Sequence, residues 1–236
     1  MFQTYKNFEV IVAEDANDTD IIEYLKNNAF NFDIKHVYQE DSGFRKCKIL
    51  NEAIKIATGN YVVFLDGDCI PHSKLLENYN KFSELGICYG RRVMLSESMT
   101  KSLIKNPNTK INWIGLLTSG SQQLKHAFYC KFRKPSIEKN KGIWGCNWGI
   151  PLKVLKEVNG FDEDYKTAGI GEDVDIEWRL KKLGHRLFYL KHLSIVYHLN
   201  HKVHYNSEIV SIGQEQLRLK TEEGNTFCTN GLIKIA

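Results

Sequence analysis

Apolar and polar positions along the first 95 residues predict strands and helices in alternation. Residues 8–15 (FEVIVAED) join β-branched and aromatic side chains and end in two acids, which predicts a buried strand. Asp18 or Thr19 can cap a helix over DIIEYLKNN, and residues 32–39 (FDIKHVYQ) alternate as a second strand. From 44 to 58 the apolar positions Phe44, Cys47, Leu50, Ala53, Ile54 and Ala57 fall at helical spacing, with Gly59 as the stop. Residues 61–65 (YVVFL) predict a buried strand that runs directly into Asp66-Gly67-Asp68. Ser73 then caps the helix KLLENYNKFSEL.

This alternation predicts an α/β fold with a mostly parallel central sheet and helices on both faces. Ligands of such sheets gather beyond the C-terminal ends of the strands. Glu14 with Asp15, and Asp66 with Asp68, close two strands at that rim. Residues 96–140 show no clear period, and 103–113 and 131–140 read as loops of the kind that form lids. Beyond 142 the pattern sharpens again. Pro151 suits the first turn of the helix LKVLKEV, and Gly160-Phe161-Asp162 is a turn. GIGEDVDIEWRLKKLG is an acidic loop leading into an amphipathic helix with Ile176, Leu180 and Leu183 facing inward. HRLFYL and LSIVYH predict strands, and 206–220 a helix.

A chain of 236 residues, 42% hydrophobic and 25% charged, can bury a core without disulfide or metal staples. The net charge of +4 is mildly basic, and no dense Lys/Arg block interleaves with aromatics, so no nucleic-acid partner is expected. Cys47, Cys69, Cys88, Cys130, Cys146 and Cys228 form no C-x-x-C pair and match no zinc spacing, which leaves buried free thiols in a reducing compartment. No apolar stretch reaches the roughly 18 residues a spanning helix needs. The expectation is a cytoplasmic protein, with peripheral contact to the inner face of a membrane and homo-oligomers left open. Fingerprints of dinucleotide enzymes, P-loop NTPases and α/β-hydrolases are missing from the chain.

Four clusters carry candidate chemistry. Asp66 and Asp68, one residue apart at a strand tip, can both reach one hard cation, and Gly67 lets the turn tighten; the competing reading is a solvated Asp-Gly turn. Gly171-Glu172-Asp173 either caps a helix with acids or supplies a general base. Trp144-Gly145-Cys146-Asn147-Trp148-Gly149 either faces a sugar or forms a core tryptophan pair. Among His192, His198, His201 and His204, His198 at the end of LSIVYH is the best candidate to complete a metal site, although any single histidine is more often structural.

QTYKNFEVIVAEDAN, GNYVVFLDGDCIPHSKLL, GCNWGIPLKVLKEVNGFDEDY and GIGEDVDIEWRLKKLG, in that order over residues 3–200, resemble family 2 glycosyltransferases. The last two segments are also similar to the galactosyltransferase-type C-terminal module. The resemblance implies a GT-A fold, a UDP-sugar donor, Mn²⁺ or Mg²⁺, and inverting transfer of a hexose or N-acetylhexosamine to a saccharide or glycolipid acceptor in surface polysaccharide or lipopolysaccharide synthesis. By position, it implies metal contacts from Asp66, Asp68 and His198, and donor-nucleotide contacts from Asp15, Lys46, Asn51 and Asp66. It implies sugar and acceptor contacts from Asn147, Trp148 and Gly171, with Asp173 as base and Glu172 beside it. The corresponding division, within a single GT-A domain, is 1–95 for the donor, 96–205 for the acceptor and catalysis, and 206–236 as a helical tail.

The family usually has a strand before the segment that starts at Gln3, so the expectation is an N-terminally truncated GT-A fold. A partner-completed or inactive relative is the alternative this raises. Leu50-Asn51 stands where the family often carries Arg-Asn, and Lys46 or Lys48 can supply that charge. A second alternative is a haloacid-dehalogenase-type phosphatase, which also opens with strand and D-x-D but places Thr or Val where Ile70 stands.

Overall fold

The computed structural model describes residues 3–139, 141–167, 171–202 and 206–235. The elements in chain order are β1 (Glu9–Glu14), α1 (Thr19–Asn27), β2 (Asp33–Tyr38), α2 (Lys46–Ile56), β3 (Tyr61–Phe64), β4 (Cys69–Pro71), α3 (Leu75–Phe82), β5 (Ile87–Tyr89), β6 (Arg91–Met94), α4 (Glu97–Lys105), α5 (Trp113–Thr118), β7 (Trp148–Pro151), α6 (Leu152–Glu157), α7 (Glu172–Lys182), β8 (Leu187–Tyr189), β9 (Ile195–His198) and α8 (Ser207–Glu223). They fall into two compact units, each assembled from separated stretches of chain. One contains 6–62, 152–184 and the C-terminal stretch; the other contains 63–151 and 185–202 with the residues before Lys6. The DxD and GED motifs therefore belong to different units, and the helical tail belongs with GED, unlike the contiguous division expected from sequence.

In the first unit β1 and β2 pair in parallel, from Glu9 opposite Asp33 to Glu14 opposite Tyr38. Asp18 caps α1 as expected, accepting the Asp20 N–H at 2.8 Å. Helix α2 buries Cys47, Ile49, Asn51 and Ile54. It ends before Gly59, because Ala57 is already extended. The Thr58 and Gly59 N–H groups then donate to the Glu9 carboxylate at 2.7 and 3.1 Å, so Gly59 belongs to an anchored loop and is not the helix stop. In α7, Ile176 and Leu180 are fully buried, but Leu183 is 45% exposed because it sits past the last turn as the C-cap.

In the second unit, which begins within β3 at Val63, strands run in the order β3-β7-β5-β8 in one sheet and β4-β9-β6 in another. Strand β5 is antiparallel to β7 and parallel to β8, while β9 is antiparallel to β4 and parallel to β6. The parallel pairing predicted from the first half thus continues, joined by antiparallel partners from the second half. Ser73 does not cap α3. The helix begins at Leu75, the Lys74 N–H donates to His72 Nδ1, and the Ser73 carbonyl accepts the Thr4 N–H. Residues 103–113 are not one loop either: α4 runs through Lys105 and α5 starts at Trp113. Ser96 and Asn112 cap these helices with bonds to the Met99 and Gly115 N–H groups. Leu103 and Leu116 point from them into a core cluster with Val93, Leu95, Ile195 and Tyr197.

Candidate active site

Strand β3 ends at Phe64, and the chain turns through Asp66-Gly67-Asp68, with the Asp66 carbonyl accepting the Cys69 N–H at 3.0 Å. Gly67 is not among the residues with positive φ, so the turn itself does not demand glycine; a Cβ there would meet open space. The next strand, β4, lies beside β9 with Cys69 opposite His198, and the Leu199 N–H donates to the Asp68 carbonyl at 2.9 Å. This register puts the end of β9 against the acidic turn. His198 Nε2 lies 3.3 Å and His201 Nε2 2.8 Å from the same carboxylate oxygen of Asp68. The two rings are 5.0 Å apart.

His198 is buried and His201 about half exposed, so one imidazole is fixed and the other faces water. Burial pushes the His198 imidazole below its ordinary value; Asp68 opposes this and Arg92 reinforces it. A neutral imidazole beside a carboxylate is a donor pair that a divalent cation such as Mn²⁺ can take. The ligand atoms of Asp68, Cys69 and His198 lie within 4.8 Å of one another. The Cys69 thiol, however, is pushed up by its hydrogen bond with Cys146 and by burial, which leaves it a protonated, poor ligand. The oxygen and nitrogen donors therefore fit the group better than the sulfur does.

Sequence reasoning named His201 only as one of a cluster and did not single out Arg92. The Arg92 guanidinium lies over the Trp144 ring at 5.3 Å and 3.9 Å from Cys146 Sγ, and its buried Nε has no hydrogen-bond partner among the described residues. No local pattern marked Arg92, because its strand meets LSIVYH only in the folded chain. His192 is engaged elsewhere, its carbonyl accepting the Cys130 N–H and its ring meeting Phe128. His204 lies outside the described residues, as do 168–170 of the acidic loop.

Asn147 and Trp148, expected at the sugar, both lie in the interior. Asn147 is fully buried; its oxygen accepts the hydroxyls of Tyr79 at 2.7 Å and Ser194 at 2.8 Å, and its amide donates to the Arg91 carbonyl at 3.0 Å. Trp148 is 1% exposed and stacks on Phe64 at 4.6 Å. Trp144, half-buried under Arg91 and Arg92, is the accessible aromatic of that segment.

In the other unit, Asp15 accepts hydrogen bonds on both carboxylate oxygens, from Gln39 Nε2 and the Arg45 N–H, each at 2.5 Å. Glu14 beside it is bonded to His36 and the Asp18 N–H. Lys46, the first residue of α2, sits 3.3 Å from Glu172, the first residue of α7. Two residues assigned to different tasks from sequence thus form one ion pair. Asn51 is fully buried and binds the Phe161 N–H, the Phe161 carbonyl and Glu163, so it pins the Gly160–Glu163 turn and has no exposed atom to offer a nucleotide. Gly171 is also a packing position, since a Cβ there would lie 2.4 Å from the Tyr165 ring. Asp173 occupies the first turn of α7 and is partly exposed. Asp175, the third acid of that turn after Glu172, is buried and paired with Arg179 at 2.7 Å, so it is structural.

The sequence profile of glycosyl transferase family 2 matches residues 2–157, about two thirds of the chain. The chain belongs to this family. A second profile, described as the N-terminal domain of galactosyltransferase, matches residues 126–202. Chondroitin synthase of Escherichia coli is 34% identical over 199 residues, covering 77% of this chain. The chain spans 29% of that curated relative's length. Among solved structures, Staphylococcus aureus TarS 1–349 in complex with UDP-GlcNAc superposes with a TM-score of 0.60 at 14% identity, covering 92% of this chain and 59% of that one. The mannosyltransferase PcManGT of Pyrobaculum calidifontis, in complex with GDP-Man and Mn²⁺, gives 0.58 at 18% identity, covering 94% and 57%. These likenesses show the GT-A fold. GFDE and GED lie beyond the family 2 match but within the second one, and the two matches together do not favour the phosphatase alternative.

Proposed function

We propose that this family 2 protein transfers a hexose or N-acetylhexosamine from a UDP-sugar to a hydroxyl of a saccharide or glycolipid acceptor, with inversion, in the synthesis of a surface polysaccharide or lipopolysaccharide. The observation that carries this reading is the Asp68 carboxylate, held under His198 and His201 at the tip of the D-x-D turn. Asp68, His198 and Asp66 are the residues that would hold Mn²⁺ or Mg²⁺. When bound, the cation would offset the charge of the departing nucleoside diphosphate. Asp15 and Lys46 contact the nucleoside and its phosphates in this reading, and Arg92 adds a guanidinium suited to phosphate oxygens.

In the transfer step the acceptor oxygen bonds to the anomeric carbon as the bond from that carbon to the β-phosphate oxygen breaks. The bonding electrons leave with UDP, and the hydroxyl proton passes to Asp173. The helix dipole of α7 favours the charged carboxylate at this position before the proton arrives. Glu172, held by Lys46, orients the acceptor.

Calorimetric titration of UDP with and without Mn²⁺ tests the donor half, followed by transfer assays with UDP-sugars. Asp68→Ala is expected to abolish the metal-dependent binding. Asp173→Asn is expected to keep UDP binding and lower turnover by at least about 100-fold, the scale of a lost general base. Unchanged turnover in Asp173→Asn would remove the base assignment, and UDP binding that stays metal-dependent in Asp68→Ala would remove the cation site.

A further inference from the structure

From Ser98 to Ile137 the chain carries six lysines and Arg133 and no aspartate or glutamate. All seven cations are exposed; Lys101 is paired at 2.6 Å with Glu97, just outside the stretch, and Glu138 follows it. The same stretch holds the most exposed large apolar side chains of the second unit: Phe132 at 82%, Ile114 at 74%, Ile104 at 69% and Phe128 at 60%. The physical origin is clear in α4 and α5. Leu103 and Leu116 turn into the core cluster, and the residues directly after them, Ile104 and Leu117, turn out. Leu124, Ala127 and Tyr129 pack on that same cluster, so the segment bearing Phe128 rims it too. Apolar side chains this exposed on several segments around one cluster are unusual for a surface with no partner.

We infer that this face docks on an anionic lipid bilayer. Lysines among protruding aliphatic and aromatic side chains are the composition of a surface that inserts shallowly and is drawn to acidic headgroups. Ile104, Ile114, Leu117, Phe128 and Phe132 offer no polar atom to bond a saccharide's hydroxyls or carboxylates, which favours acyl chains over a polyanionic saccharide. The face is also tied to the candidate metal site within its own unit. Thr100 of α4 is buried and accepts the Asn200 N–H at 2.8 Å, two residues beyond His198. Docking would hold that site at the membrane surface, where a lipid-borne acceptor is presented. The docking itself does not depend on the transfer reaction.

The test is co-sedimentation of the full chain with phosphatidylcholine vesicles, with and without phosphatidylglycerol, at low and high salt. Binding is expected only with phosphatidylglycerol and is expected to fall with salt as the lysines are screened. Brominated lipid is expected to quench Trp113, which is 46% exposed in α5. Ile114→Ser with Leu117→Ser, both on exposed positions, is expected to weaken binding at least about tenfold with the thermal transition unchanged. Lys105→Glu with Lys110→Glu is expected to do the same through charge. UDP binding with Mn²⁺ is expected to survive in all of these variants, which separates this inference from the transfer reading. Equal binding to neutral and anionic vesicles, or none to either, would overturn it. So would chondroitin binding lost in the Ile114/Leu117 variant without any vesicle binding, or a drop in oligomeric state in that variant, which would assign the face to a polyanion or to a second copy.

Discussion

At the residue scale, Asn51 and Asn147 share one lesson. Both stand in segments that resemble a substrate-binding family, and both are fully buried amides with committed partners. Sequence shows the residue type but not the four groups that converge on Asn147 from Tyr79, Arg91 and Ser194. Those partners lie up to 68 positions away and meet only in the folded chain. Asp68 and His198 were legible as candidates because each closes an apolar run, Asp68 in the turn just past β3 and His198 as the last residue of β9. His201, three residues past a strand end in a region without period, was not. Asn147→Ala removes one side chain and leaves several buried polar groups unpaired, so it is expected to destabilise by about 2–4 kcal/mol. Urea unfolding followed by near-ultraviolet dichroism would read this as a lower midpoint at unchanged slope. A variant with native stability but a raised KM would return Asn147 to the sugar pocket.

At the scale of elements, the alternation of β1, α1, β2, α2 and β3 was readable because each period is short and local. The boundaries that failed are those set by distant groups. Nothing near Gly59 in sequence indicates that Glu9, 50 positions back, collects the Thr58 and Gly59 N–H groups. Burial raises the Glu9 pKa, but Lys35 and these N–H groups outweigh it and hold it at about 2, below the ordinary 4.5. A carboxylate whose folded value is depressed adds stability that is complete above its unfolded value and fades as pH falls through the folded one. Glu9→Gln is therefore expected to cost about 1–2 kcal/mol at neutral pH, as for hydrogen bonds to a charged group. The gap to the parent chain is expected to narrow steadily below pH 4.5 and to be nearly closed at about 2. Chemical denaturation across that window measures it; a gap of constant size would mean that side-chain packing, not charge, is what Glu9 provides.

At the scale of the whole molecule, each compact unit is built from separated stretches of chain. The C-terminal stretch is built into the unit that holds α2 and α7. Lys220 of α8 reaches the buried Asp162 at 2.6 Å and Asp164 at 2.7 Å, on the turn that Asn51 also pins. Beyond α8, Asn159 donates to the Cys228 and Ile233 carbonyls at 2.7 and 2.8 Å, and its own carbonyl accepts the Leu232 N–H at 2.8 Å. Asn159 itself holds a positive φ of 62°, a conformation an asparagine tolerates better than most residues when its side chain is bonded locally. Periodicity could find α8 but not this stitching, because the bonds run to backbone groups that any residue would present. Removing residues 206–236 would leave the Asp162 carboxylate buried without its lysine and the Asn159 amide without its acceptors. Losing one partner of a buried ion pair alone costs about 3–5 kcal/mol. The truncated chain is expected to lose the protection of α2 and α7 amides from hydrogen exchange, while the strands β4, β6 and β9 around His198 keep theirs. Wild-type protection in α7 after truncation would show that the stretch is a separable tail. Lys220→Met, which removes only the charge at the end of a chain of similar length, is expected to give the same pattern in weaker form and so to locate the effect at Asp162.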